Sequence, residues 1–140
     1  MELIKKEDLP QVAYDGMNRV HDRELEILNR LYGALVKDAP EEEITELLKE
    51  FIDDVKEHFA YEEDLMRKTH FFAYECHSGE HKRVLEELAQ VEKEWLEKRD
   101  KKALRRYFER TFRPWIADHI LTMDTVTAQW LSRVLLGTLP

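Results

Sequence analysis

The chain has 140 residues, which fits one domain and leaves no room for a second of ordinary size. Thirty acidic residues against 22 basic ones give a net charge of −8 and a pI near 5.3, so neither a nucleic-acid backbone nor an anionic membrane is an expected partner. A hydrophobic fraction of 43% supports a packed core, no apolar run approaches the roughly 20 residues that cross a bilayer, and Met1–Asp8 carries no apolar signal core.

Four glycines, four prolines and a charged fraction of 37% favour long helices. Residues 1–14 read as an N-terminal arm bearing Leu3, Ile4 and Leu9. The first helix is expected from about Asn18 to Lys37, with Met17, His21, Leu25, Leu28, Tyr32 and Leu35 on its inner stripe. A second opens at Pro40 with Glu41, Glu42 and Glu43, acids suited to the positive end of a helix dipole, and runs to about Thr69. Its stripe reads Ile44, Leu48, Phe51, Val55, His58, Glu62, Leu65. The third spans about Tyr74 to Lys98, with His77, His81, Val84, Leu88, Val91 and Trp95 inward and a basic end. The fourth reaches from about Lys101 to Leu136, where Gly137 stops it, and presents Leu104, Phe108, Phe112, Trp115, His119, Met123, Val126 and Trp130. Pro114 lacks a backbone donor and is expected to kink or split this helix. Short connections between amphipathic rods imply an all-α fold, an up-down-up-down antiparallel four-helix bundle with an N-terminal arm, as one domain over 1–140.

Five histidines occupy slots where Leu, Ile or Val belongs: His21, His58, His77, His81 and His119. Glu62 joins them one turn after His58. Burying an unpaired carboxylate costs several kcal/mol, and buried imidazoles need partners. A metal satisfies both, because neutral imidazole and ionised carboxylate are its ligands. The pairs His58/Glu62 and His77/His81 are spaced i, i+4, which stacks two ligands on one helix face. His119 and Asp124 are spaced i, i+5, roughly 140° apart on a regular α-helix. Asp124 reaches the same point only from the flank or with a π-type bulge between the two.

A lone His on the first helix, H-x-x-x-E on the second, H-x-x-x-H on the third and H-x-x-x-x-D on the fourth resembles the bacterial single-domain hemerythrins over nearly the whole chain. That resemblance implies two iron ions with a bridging oxo or hydroxo ligand. His77, His81 and His119 would hold one iron and His21 and His58 the other, with Glu62 and Asp124 bridging. Counted against two octahedral irons, these groups leave one position open, on the iron with two histidines, and dioxygen is the implied ligand. An imidazole-rich set favours reversible binding for oxygen storage, delivery or sensing over turnover, so the expectation is not an enzyme. The alternatives are a di-iron oxidase, peroxidase or nitric oxide-handling enzyme on the same scaffold, or a metal-buffering bundle. By position in the motif, Phe59, Trp115, Ile120 and Leu121 would line a dry pocket, and Leu121→Asn would speed autoxidation.

The remaining residues carry plainer expectations. Glu63 and Asp64 read as a solvated face, His70 as an exposed residue near a loop, and Cys76 as a small buried hydrophobe. A single cysteine makes no internal disulfide and suits the cytoplasm. The apolar run beyond Asp124 is expected to pack on the arm or to serve as a homo-oligomer interface, with an acceptor protein as the other candidate partner.

Overall fold

Four rods form where the four apolar stripes predict them, in a computed structural model that describes residues 2–137. Met1 and residues 138–140 of the expected domain lie outside the described residues. Helix α1 is Asp15–Val36, α2 is Glu41–Lys68 and α3 is Tyr74–Lys98. Helix α1 starts earlier than expected, at Asp15, and Asn18 lies inside it with its side chain bonded to the arm. Helix α2 has no side-chain cap, and its three leading glutamates supply the favourable charge at that end. Asp38, His70 and Arg99 take left-handed backbone angles just past the three helix ends.

The fourth rod is continuous but not uniform. It runs as α4 (Lys101–Tyr107), a π turn over Phe108–Phe112, α5 (Arg113–His119), a second π turn over Ile120–Asp124, and α6 (Thr125–Leu136). Asp100 caps it by accepting the Ala103 N–H at 3.1 Å. Pro114 sits in the first turn of α5, where a missing donor costs little, so the π turn absorbs the proline and the rod is segmented, not ended.

Each π turn admits one extra residue and moves the inward face on by one position. The expected inner residues Met123, Val126 and Trp130 give way to Asp124, Thr127, Ala128 and Leu131, and Val126 is exposed. Likewise Ile116 is buried beneath a half-buried Trp115.

Helix α1 packs on α2 and α4, α3 packs on α2 and α4, and α2 also meets α6, which closes the bundle. The main core holds Leu28, Leu31, Leu48, Val55 and Leu88 around Phe51, whose ring meets Phe108 and Phe112 edge-on at 5.5 and 5.3 Å. A smaller cluster of Met17, Ala128 and Leu131 lies apart from it. Among the described residues, no helix is long and apolar enough to cross a membrane.

The arm contains a short 3-10 turn, Lys6–Asp8, and buries Leu3 and Leu9. Its Val12 touches the smaller cluster, but Val134, Leu135 and Leu136 remain exposed, so the arm covers only part of the C-terminal apolar run. Cys76 is exposed, contrary to expectation, because His77 and His81 turn inward and their neighbour on the helix faces out.

Candidate metal centre

The seven expected ligands come from all four rods and meet in one buried layer. His21 sits on α1, His58 and Glu62 on α2, His77 and His81 on α3, His119 at the end of α5 and Asp124 at the end of the second π turn. Both carboxylates are fully buried and every ring is nearly so. The i, i+5 spacing of His119 and Asp124 is met by the bulge: the Thr125 N–H bonds to the Ile120 carbonyl, five residues back, and the Thr125 hydroxyl donates to the same oxygen at 2.7 Å.

Ligand atoms fall into two overlapping groups, Glu62, His77, His81, His119 and Asp124 in one and His21, His58, Glu62 and Asp124 in the other, each within 4.8 Å. The carboxylates divide their oxygens between the two. Glu62 turns Oε1 to His77 and His81, at 3.5 and 3.3 Å, and Oε2 to His21 and His58, at 3.5 and 2.6 Å. Asp124 turns Oδ1 to His77 and His119, at 3.1 and 3.3 Å, and Oδ2 to His21, at 3.1 Å. The Nε2 atoms of His77 and His119 face each other at 3.2 Å. Separations near 3.1–3.5 Å suit neighbouring corners of a coordination shell with bonds of about 2.1 Å.

The donor set fits a metal pair. His21 Nε2, His81 Nε2, Glu62 Oε1 and both Asp124 oxygens are buried without a hydrogen-bond partner, and all of them point into the layer. Folded proteins seldom leave buried polar atoms unpaired, so the convergence of five at one point marks a place for cations.

Without a cation, protons balance the charge. Burial disfavours the His21 imidazolium, but Asp124 and Glu62 outweigh it and raise the pKa to about 9. His58 is raised well above its usual value against burial by Glu62 and Glu24. Burial pushes the two carboxyls up, and Glu62 adds its repulsion at Asp124. The facing histidines override this and hold both well below the carboxylate range.

Outer partners hold the rings in place. With Nε2 turned to the layer, His58 donates through Nδ1 to Glu24, His77 to Thr127 Oγ1 at 2.7 Å, and His81 to Glu63 Oε2 at 2.9 Å. Reading the stripes missed all three. Glu24 had a signal, since Met17, His21, Glu24, Leu28, Leu31 and Leu35 alternate by four and three. Glu63 is half-buried against His81 instead of belonging to a solvated face.

The seven candidate ligands lie together in a chain that direct sequence comparison also places. Residues 12–131 match the Hemerythrin HHE cation binding domain. The chain belongs to the hemerythrin family. It is 33% identical over 129 residues to a bacteriohemerythrin of Aquifex aeolicus (strain VF5), covering 92% of this chain and 98% of that protein. No solved structure matches it. Hemerythrins carry a di-iron centre, and the buried cluster of this one is able to hold metal ions.

The expected pocket residues divide. Phe59 stacks on His81, with centroids 3.8 Å apart and planes 2° from parallel, and Trp115 stacks on His119 at 4.6 Å. The Trp115 Nε1–H donates to Glu80 at 2.8 Å. Both rings therefore brace the three-histidine side. Ile120 instead lines a void beside His21, together with Leu25, Leu28, Phe112 and Ile116. Leu121 is 62% exposed and lines nothing, because the π turn swings it outward while Ile120 turns in.

Proposed function

We propose that this hemerythrin binds dioxygen reversibly at two iron ions, one on His77, His81 and His119 and one on His21 and His58, with Glu62 and Asp124 shared between them. The role follows as oxygen storage, delivery or sensing. The observation that carries the reading is the division of each carboxylate's oxygens between two histidine sets, which is the disposition of a bridge.

Bound iron supplies reversible exchange of electrons with dioxygen. The chain supplies the rest. Five neutral imidazoles and two carboxylates bring little negative charge to the centre, which favours lower oxidation states and release of the ligand intact. Glu24, Glu63 and Thr127 fix ring orientation through Nδ1. Phe59 and Trp115 shut water out on the three-histidine side. On the two-histidine side the void is walled mainly by aliphatic carbon. The two polar residues on that wall, His21 and Glu24, are a ligand and the brace of another, which supports a carrier over an enzyme. An unpaired cysteine suits a cytoplasmic setting, and delivery calls for an acceptor protein.

The test is to reduce the iron-loaded protein without air, admit dioxygen and then remove it while recording the visible spectrum. A band that appears and disappears with the gas supports the carrier. Irreversible oxidation points to an oxidase, and no spectral change points to a metal-buffering or zinc-bound bundle.

A further inference from the structure

Two asparagines on one face of α1 hold the N-terminal arm. Asn29 Oδ1 accepts the Leu3 and Ile4 N–H groups at 2.8 and 3.3 Å, and its Nδ2 donates to the Ile4 carbonyl at 2.9 Å. Asn18 Oδ1 accepts the Val12 N–H at 2.8 Å, and its Nδ2 donates to the Val12 carbonyl at 2.9 Å. The two are spaced i, i+11, close to three helical turns, so they lie in line. The arm therefore runs antiparallel along α1, and His21, Glu24, Leu25 and Leu28 lie between its two fastenings.

Beneath the arm lies the void beside His21, about 10 Å³ in volume, close to the least space that holds a single water molecule. Outside it a cleft of about 330 Å³ opens between the arm and α5, bounded by Arg113, Ile116 and Ala117. Void and cleft share Ile4, Leu9 and Ile116 as walls. Two of these three side chains belong to the arm. Apart from one short 3-10 turn, the arm has no helical ladder; it is fastened by these side-chain hydrogen bonds and by burial of Leu3 and Leu9, fewer contacts than hold any of the four rods, so it opens at less cost than they do.

We propose that the arm is the gate through which uncharged diatomic molecules reach the two-histidine side of the centre, and that Asn29 is its latch. This rests on the dioxygen-binding reading. Closed, Ile4 and Leu9 divide the cleft from the void. Open, the same movement joins them along an apolar path. A gate scales arrival and departure alike, because it changes the path and leaves both end states as they were.

The experiment compares iron-loaded wild type with Asn29→Ala and Leu9→Ala, by stopped-flow mixing of the reduced proteins with dioxygen and, separately, with nitric oxide. In Asn29→Ala, hydrogen exchange at the Leu3 and Ile4 amides speeds up. Association and dissociation of dioxygen both rise about tenfold with affinity unchanged, a change of about 1.4 kcal/mol in opening the arm. In Leu9→Ala both rates rise while the arm amides stay protected. Rates unchanged in Asn29→Ala despite a loosened arm overturn the gate, as does a change in affinity without paired rate changes. If the wild type fails to bind dioxygen reversibly, the functional reading falls, and nitric oxide still decides the gate by the same comparison of rates.

Discussion

The two sides of the metal centre are built differently. The three-histidine side is closed by flat aromatic contact: Phe59 lies face to face with His81, Trp115 with His119, and hydrogen bonds to Thr127 and Glu63 fix His77 and His81. The two-histidine side has one ring braced by Glu24, a second whose Nδ1 has no partner, and a small aliphatic void beneath a separately fastened arm. One side is filled by stacked rings and the other keeps a small gap. Reversible binding needs both, since a ligand must find one position accessible while the rest of the centre keeps its geometry.

The largest expected effect comes from breaking what the two sides share. Glu62→Ala removes one oxygen from each group, so both irons should be lost together, read as metal-to-protein ratio after loading and desalting. Retention of one iron would mean that the sides are independent. Next is Phe59→Ala, which deletes a buried ring and the stack on His81, at a cost of about 3–5 kcal/mol in denaturant unfolding.

The asymmetry itself is sharpened by a pair of variants. Glu24→Gln and Thr127→Val each remove an outer partner of one ring, and each should weaken metal binding about 10- to 100-fold. The loss should fall on the two-histidine metal in the first and on the three-histidine metal in the second, resolved by site-specific iron spectroscopy.

Proton linkage gives a smaller and reversible effect. In the metal-free protein the raised His21 pKa contributes stability that is fully present below about 6.5 and is lost as pH rises through about 9. The depressed carboxyls act oppositely, contributing above their usual range and losing that contribution in acid. Metal-free protein should therefore lose stability toward pH 10, and iron-loaded protein should not, because the metal replaces the proton. Urea midpoints across pH 6–10 check this. Smallest of all is Leu121→Asn: an exposed side chain changed for a polar one should leave stability within about 0.5 kcal/mol and the autoxidation rate unaltered.

Much of the centre was legible before any coordinates. Histidine and glutamate in leucine slots cost too much to bury without a reason, so periodicity pointed to the five rings and Glu62, while the i, i+5 offset of Asp124 left either a reach from the flank or a bulge, and the structure has the bulge. The outer shell was not legible in the same way. Glu63 and Thr127 act across helices on His81 and His77, and no spacing within one helix reports a partner on another.

The sequence by itself determined the rods, their order and the identity of the inward polar groups, because amphipathic period is a local property of the chain. Tertiary structure alone decided which way the second half of the fourth rod faces. Two π turns each advance its inner stripe by one residue, burying Ile116, Ile120, Asp124 and Thr127 and sending Leu121 and Val126 to the surface. A helix that packs against three others and brings Asp124 to the shared centre settles for the wider turn. Backbone preference alone, which favours the regular helix, would not have chosen it.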